Sequence, residues 1–203
     1  MNILLHPTYF PSISHYVAMM RAETITFEVE DNFQKQSNRN RMYIYGPNGL
    51  QLLNIPVVNS SERHQKYKDV KIDYSDNWQK NHSKSLEAAY RNSPFYEILE
   101  HDLQPVFEKN HTFLLDLNFK IFEILNECLR VELTFSKTTD YCHKTNEFTD
   151  FRDLVNGKKD TFINERYTQV FEDKEGFLPN LSVLDLLFNE GRCSKDYLKE
   201  QII

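Results

Sequence analysis

The chain has 203 residues, of which 40% are hydrophobic and 13% aromatic, and its formal net charge is -6. This length fits one large domain or two small ones, and the apolar content can bury one substantial core, so we expect a single domain over residues 1–203. The acidic balance argues against a nucleic-acid partner, because binding along a phosphate backbone depends on a broad surface of lysine and arginine.

The first 30 residues predict a strand, a helix and a second strand. Residues 1–5 are short and apolar, residues 11–21 place apolar side chains at helical spacing, and residues 24–29 are β-branched and alternating. The crossover of such a βαβ unit is almost always right-handed. Ligands gather at the carboxyl ends of its strands, here near residues 6–9 and 28–31.

A hairpin is predicted next, with strands at residues 42–45 and 50–58 and a turn at Gly46-Pro47-Asn48-Gly49. Residues 59–69 are polar and predict a loop, and residues 70–72 alternate as a short strand does.

The remainder of the chain predicts mainly helices. The apolar spacing and the capping residues indicate a helix from Trp78 through Ala89, helices at residues 93–104, 112–130 and 180–189, and a strand at residues 132–136. Pro105 should break or kink the chain after the second of these helices. Residues 137–159 are polar and predict an irregular, mobile loop. We therefore expect an α/β or α+β fold in which an N-terminal mixed sheet, made of the βαβ unit and the hairpin, is covered by helices.

The first candidate site is residues 6–11, His-Pro-Thr-Tyr-Phe-Pro, at the junction of the first strand and the first helix. Helix N–H groups at such a junction favour a phosphate or a carboxylate. No glycine is present to let the backbone wrap a phosphate, so the segment is not a nucleotide loop. The structural alternative is a rigid turn packed by Tyr9 and Phe10.

The second candidate is a dense cluster of hydrogen-bond donors between the second strand and the hairpin. Guanidinium groups grip carboxylates and phosphates bidentately, and asparagines suit sugar hydroxyls, so the cluster fits a nucleotide-linked or lipid-linked sugar. The alternative is the solvated face of a hairpin. The cluster consists of Lys35, Asn38, Arg39, Asn40 and Arg41.

The third candidate lies on the helix that begins at Trp78, where His82, Lys84 and Tyr90 follow. A histidine with a pKa near neutrality can act as a general base. His82 also lies on the apolar face of its helix, where a histidine is more often a core residue held by one hydrogen bond.

Several classes of site lack their characteristic patterns in this sequence. The P-loop, dinucleotide, nucleophile-elbow and zinc-protease motifs are absent. The three cysteines are widely spaced and predict neither a disulfide framework nor a metal site. No leader and no apolar run of about 18 residues is found, so no transmembrane segment is expected and the protein is predicted to be cytoplasmic.

Several unusual strings, taken in order, resemble the WbqC-like family. The resemblance implies a bacterial protein of surface-polysaccharide (O-antigen-like) gene clusters, and a glycine-transferase role. The strings are residues 6–11 with Tyr16, residues 33–41, residues 55–57, Trp78 with residues 82–86 and 89–90, residues 114–118 and residues 177–191.

Two functional hypotheses follow from the residues and the resemblance together. In the first, the protein transfers an aminoacyl or other acyl group to a sugar: Lys35, Arg39 and Arg41 neutralise the anionic group, and His82 removes a proton from the acceptor. In the second, it is a non-catalytic carbohydrate- or nucleotide-sugar-binding module, which needs no base. Both hypotheses leave the cofactor and the oligomeric state unknown, and both take the substrate-binding residues to be Tyr9, Lys35, Asn38, Arg39, Asn40, Arg41, Trp78, Lys84 and Tyr90.

Overall fold

The computed structural model describes residues 1–59, 64–157 and 159–203. Its first half contains the main strands, and its second half is mostly helical. In chain order the elements are β1 (Asn2–Leu5), α1 (Ile13–Met20), β2 (Thr24–Phe27), β3 (Arg41–Gly46), β4 (Gly49–Asn54), α2 (Trp78–Tyr90), α3 (Tyr96–Glu108), α4 (Leu114–Leu129), β5 (Phe135–Lys137), β6 (Thr149–Asp150), α5 (Glu172–Glu175), α6 (Val183–Glu190) and α7 (Ser194–Glu200).

The larger of the two sheets is parallel, with the strand order β5-β2-β1-β6. Ile3, Leu4 and Leu5 of β1 are all buried, as expected for a parallel strand covered on both faces. β1 pairs with β2 from Asn2↔Thr24 to Leu5↔Phe27, and with the two residues of β6 on its other side. The order of the strands reverses at β1, and crevices form outside the carboxyl ends of strands at such a reversal.

The hairpin β3–β4 is a separate antiparallel sheet, in register from Arg41↔Asn54 to Gly46↔Gly49. The predicted α/β class is confirmed, with the refinement that the hairpin does not extend the parallel sheet. Gly49 has a φ of 93° in the tight turn, a conformation that suits glycine. Helices α2 and α6 pack on β3, and α3 packs between α2 and α4.

Several predicted boundaries differ from the structure for physical reasons. Pro105 lies inside α3 and does not end it, because Leu103 and Val106 on either side of it are buried in the core. Residues 70–72 form isolated bridges only, Val57↔Ile72 and Lys71↔Phe113. The predicted loop at 59–69 includes residues 60–63, which lie outside the described part of the chain.

The predicted irregular segment, residues 137–159, contains the short strand β6 and a 3-10 helix at Arg152–Val155. Residue 158 of this segment is not among the described residues. The helix predicted at 180–189 is α6, and α7 follows it after a turn at Gly191–Cys193. β6, α5 and α7 are the strands and helices that local sequence patterns did not indicate.

Asp185 of α6 is fully buried and anchors a network of hydrogen bonds. It accepts from the Tyr90 hydroxyl at 2.8 Å, the Tyr167 hydroxyl at 2.5 Å and Gln169 Nε2 at 2.9 Å. Burial raises the pKa of this carboxyl. Tyr90, which the sequence placed among the substrate-binding residues, is thereby committed to the core.

Replacing Asp185 by alanine is expected to lower the free energy of unfolding by about 3 kcal/mol, because three buried donors lose their acceptor. Urea denaturation followed by circular dichroism measures the loss. Asp196→Ala, at an exposed acidic residue on the next helix, is the matched control and should change little. Equal effects of the two substitutions would contradict the assigned network.

Candidate functional site

A cavity of about 540 Å³ lies at the carboxyl ends of β1, β2 and β6. Its size is typical of small-molecule sites, and its place agrees with the strand reversal at β1. We call it the charged cavity, because most of its lining residues are ionisable. The lining residues are His6, Asp31, Gln34, Arg39, Tyr141, His143, Asp150, Arg152, Asp153, Val155, Asn156 and Lys159.

One wall of the charged cavity is a buried trio made of His6, Asp31 and Arg39. Arg39 Nη2 donates to Asp31 Oδ2 at 2.8 Å and contacts His6 Nε2 at 2.8 Å. Arginine only donates, so His6 Nε2 accepts, and its Nδ1 carries the proton that is directed at the Glu28 carbonyl 3.3 Å away. Burial lowers the pKa of His6, and the Asp31 carboxylate, 3.3 Å from Nε2, only partly opposes this by favouring a charged ring. His6 is therefore a neutral acceptor.

Arg39 is fully buried. Its guanidinium also donates to Ser37 Oγ and lies over the Tyr67 ring, 5.6 Å from the centroid. Burial alone would raise the pKa of Asp31. The contacts of this carboxylate with His6 and Arg39 outweigh the effect of burial and hold its pKa below the usual value. Arg39 thus positions its neighbours and keeps Asp31 ionised.

Another part of the wall is formed by Arg152, which follows β6. Its guanidinium holds Asp150 in a bidentate pair, with Nε to Oδ1 at 2.9 Å and Nη2 to Oδ2 at 2.6 Å. It also donates to the carbonyls of Cys142 and His143 and lies 3.8 Å from the buried Glu28 carboxylate. The hydrogen bond with Asp150 raises the pKa of Arg152. Arg152 therefore joins the loop before β6 to the end of the sheet.

The charged cavity carries both signs of charge in one space. Among the described lining residues the cations are Arg39, Arg152 and Lys159, and the carboxylates are Asp31, Asp150 and Asp153. Each cation is paired with one of these carboxylates, at distances of 2.6 to 2.8 Å. Such a cavity is complementary to a ligand with both a positive and a negative group.

A second cavity, of about 620 Å³, shares Asn156 with the charged cavity. We call it the mixed cavity, because aromatic, amide and charged side chains line it together. A cleft of about 220 Å³ between α2 and α3 shares no residue with either. The residues of the mixed cavity are Phe10, Ser12, Gln36, Asn38, Arg41, Met42, Tyr43, Leu50, Asn156, Gly157, Asp160, Thr161, Phe162, Ile163, Pro179, Asn180, Leu181 and Ser182.

Backbone strain is concentrated around the mixed cavity. Four non-glycine residues in the described chain have a positive φ: Phe10 at 41°, Gln36 at 63°, Arg130 at 53° and Asn180 at 52°. Arg130 ends α4, where a left-handed residue is common. The other three all line the mixed cavity. Strained residues cluster at functional sites, so this pattern marks the cavity independently of its shape.

The predicted donor cluster is divided by the fold. Arg39 lines the charged cavity, whereas Asn38 and Arg41 line the mixed cavity. Lys35 is exposed and reaches Asn59 Oδ1 at 3.3 Å, and Asn40 is buried against the Ile55 carbonyl at 2.8 Å. Neighbouring side chains point in different directions as the chain enters β3, so a run of donors does not form one surface.

The residues predicted on α2 do not line either cavity. His82 is 5% exposed, and its Nδ1 lies 2.8 Å from the Tyr9 hydroxyl. Burial lowers the pKa of His82 to about 4. Trp78 packs against the rings of Tyr9 and His82, and Lys84 is exposed. This geometry favours a structural role for His82, and we place the base elsewhere.

Residues of both cavities were missing from the predicted site. His6 and Asp31 belong to the two strand ends that the sequence indicated, and that rule could have added them. Asp150 ends β6 and Arg152 follows it, and this strand of two residues is too short to show alternation. Asp160 lies in irregular chain and had no local signal.

Comparison with known proteins identifies one family and one similar protein. The model of the WbqC-like protein family matches residues 6–164. The chain is also similar to the uncharacterized protein Rv1507c of Mycobacterium tuberculosis, with 26% identity over 97% of this chain and 96% of that protein. No solved structure matches the chain. Among the described residues, no helix is long and apolar enough to cross a membrane, and no three His, Cys, Asp or Glu side chains are grouped as metal ligands.

Proposed function

The chain belongs to the WbqC-like protein family, and on that premise we propose that it is a transferase of bacterial surface-polysaccharide biosynthesis, which passes an aminoacyl or other acyl group to a sugar. The observation that carries the proposal is the pairing of opposite charges within the charged cavity. An activated amino acid has a free ammonium group and, in its activating group, an anion. It is the class of donor that best complements such a cavity.

The charged cavity supports a donor site through its ion pairs. The carboxylates of Asp31 and Asp150 can accept from an ammonium group, and the Arg152 guanidinium can donate to a phosphate or carboxylate. Arg152 is the more available of the two arginines, since its side chain is 11% exposed against 1% for Arg39. Donor binding would replace part of an existing ion pair.

The mixed cavity supports an acceptor site. Tyr43 and Phe162 provide aromatic surface, and Asn38, Asn180 and Arg41 provide amide and guanidinium groups for hydroxyls. Because the two cavities share Asn156, a donor and an acceptor bound in them would be neighbours.

The second proposal, a non-catalytic carbohydrate- or nucleotide-sugar-binding module, is favoured by the mixed cavity taken alone, since aromatic and amide side chains suffice to hold a sugar. The two proposals differ in the donor. A transferase requires an acyl donor in the charged cavity, and a module does not.

Isothermal titration calorimetry separates the two. The ligands are a non-hydrolysable aminoacyl-adenylate analogue, an acyl-coenzyme A thioester and a nucleotide sugar. We expect the aminoacyl-adenylate analogue to bind, and Arg152→Ala to weaken it at least about 10-fold, because a charge-assisted hydrogen bond is lost. Arg166→Ala is the control, since Arg166 is exposed, pairs with Glu172 and lines neither cavity.

Unchanged affinity in Arg152→Ala would place the donor outside the charged cavity. Binding of the nucleotide sugar alone would favour the module. Arg152 also donates to two loop carbonyls, so its replacement by alanine removes structural contacts as well as the charge. Arg152→Lys is therefore titrated in parallel. This variant keeps the positive charge, and its affinity should lie between those of the wild type and Arg152→Ala.

A further inference from the structure

Asp160 lies in the wall of the mixed cavity, and its carboxylate is held on one side. Oδ2 accepts from Ser14 Oγ at 2.6 Å and from Asn180 Nδ2 at 2.7 Å. From the residues that the structure describes, Oδ1 accepts only the Phe162 backbone N–H, at 3.2 Å. A carboxylate oxygen has two lone-pair positions. Oδ1 can therefore accept one more hydrogen bond, from a group within the cavity.

A chain of hydrogen bonds runs from Asp160 into the protein interior. Ser14 Oγ, which contacts Asp160, lies 2.8 Å from Ser12 Oγ, and Ser12 Oγ lies 2.9 Å from His15 Nδ1. Ser14 and His15 are buried, with exposures of 0% and 1%. These hydrogen bonds therefore connect Asp160, in the cavity wall, to His15, a histidine that water does not reach.

Counting protons determines the direction of this chain. The carboxylate of Asp160 only accepts, so the single hydroxyl proton of Ser14 is used there. The oxygen of Ser14 must then accept from Ser12, and the oxygen of Ser12 must accept from His15 Nδ1–H. His15 is accordingly the Nδ1–H tautomer with an unprotonated Nε2. Burial lowers the pKa of His15 to about 4, so one ring proton is present at neutral pH.

The local structure shows that this use of Ser12 is specific. Ser12 occupies the N-cap position of α1, yet its side chain makes no capping hydrogen bond. Ser182, at the equivalent position of α6, accepts from Leu184 N in the usual way. The hydroxyl of Ser12 is committed to the chain instead of its own helix.

We propose that Asp160 is the general base of the mixed cavity, and that Ser14, Ser12 and His15 are positioning residues that fix its carboxylate. The role rests on the proposed acyl transfer. The acceptor O–H proton passes to Asp160 Oδ1, and the acceptor oxygen forms a bond to the acyl carbon. The bond from that carbon to the donor's leaving group breaks, and the leaving group departs with the electron pair.

The positioning chain is tested by the tautomer of His15, which nuclear magnetic resonance of the ¹⁵N-labelled protein reads directly at pH 7. The signals of His15 are those missing from His15→Gln. We expect Nδ1 protonated in the wild type. In Asp160→Ala the Ser14 hydroxyl has lost its carboxylate acceptor, so it donates to Ser12 Oγ instead. The Ser12 hydroxyl then donates to His15 Nδ1. Because Nδ1 now accepts, the ring proton of His15 moves to Nε2.

Asp153→Ala is the matched control, since Asp153 is an exposed carboxylate that takes no part in the hydrogen bonds between Asp160 and His15. It should leave the tautomer of His15 unchanged. An Nε2–H tautomer in the wild type, or no change in Asp160→Ala, overturns the positioning chain. This result does not depend on any donor, so it is distinguishable from a failure of the calorimetric test of the proposed function.

The availability of Asp160 is tested with conduritol B epoxide, a polyhydroxylated reagent that alkylates carboxylates. A carboxylate oxygen bonds to an epoxide carbon, the ring C–O bond breaks, and the released alkoxide takes a proton from water. Mass spectrometry should map an adduct to Asp160 that Asp160→Asn lacks. Labelling of other carboxylates but not of Asp160 overturns its assignment as the base.

Discussion

Replacing Arg39 by alanine is expected to lower the free energy of unfolding by about 4 kcal/mol, because removing one partner of a buried ion pair leaves the other charge without compensation. Arg39 is fully buried and its guanidinium contacts Asp31, His6 and Ser37. These three acceptors lose a donor in the variant, and removal of the long side chain leaves a cavity. Urea denaturation at pH 7 measures the change.

Arg41→Ala is the matched control for this prediction. Arg41 is two positions along the chain and only partly buried, and its side chain contacts Asn54 Oδ1 at 3.2 Å. Its loss should change the free energy of unfolding by less than about 1 kcal/mol. If both variants lose the same stability, the buried trio is not a structural unit. A large loss in Arg39→Ala also means that ligand binding in that variant reports folding as well as contact, which is why Arg152 is the better probe of the charged cavity.

Lowering the pH from 6.5 to about 4 is expected to remove up to about 6 kcal/mol of stability, through His15 and His82 together. Both are buried, and burial lowers the pKa of each from 6.5 to about 4. In this window the unfolded chain binds protons that the folded protein does not, so stability is present above pH 6.5 and falls as the pH decreases. At about 1.4 kcal/mol per pH unit, each histidine contributes about 3 kcal/mol. The loss is complete near pH 4.

Urea denaturation at a series of pH values between 7 and 4 tests this prediction. His82→Gln keeps an acceptor for the Tyr9 hydroxyl but cannot take a proton, so the loss of stability between pH 6.5 and 4 should shrink by about 3 kcal/mol. His101→Gln, at an exposed histidine, is the control and should keep the full loss. A stability that is constant from pH 6.5 to 4 would rule out the neutral buried histidines. Asp31 and Asp150 take up protons only at lower pH, since their pKa values lie below 3.8.

Much of the local structure could be predicted because it depends on short-range periodicity. β1, α1, β2, the hairpin β3–β4 and α4 lie within a few residues of their predicted positions. The strand ends near residues 6 and 31 were also indicated as a place for ligands, and the charged cavity lies there. Alternation and helical spacing are properties of consecutive residues, so the sequence contains them in full.

The tertiary structure alone decided which side chains meet. β6 has two residues and lies beside β1 through pairing with Ile3 and Leu4, more than 140 positions earlier in the chain, and no local pattern encodes such a contact. The donors at residues 35–41 were read as one cluster, but the fold sends them to two cavities, the surface and the core. His82 was predicted on an apolar helix face, and its burial against Tyr9 and Trp78 favours the structural alternative. A site is made by long-range packing, whereas periodicity reports only which face of an element is buried.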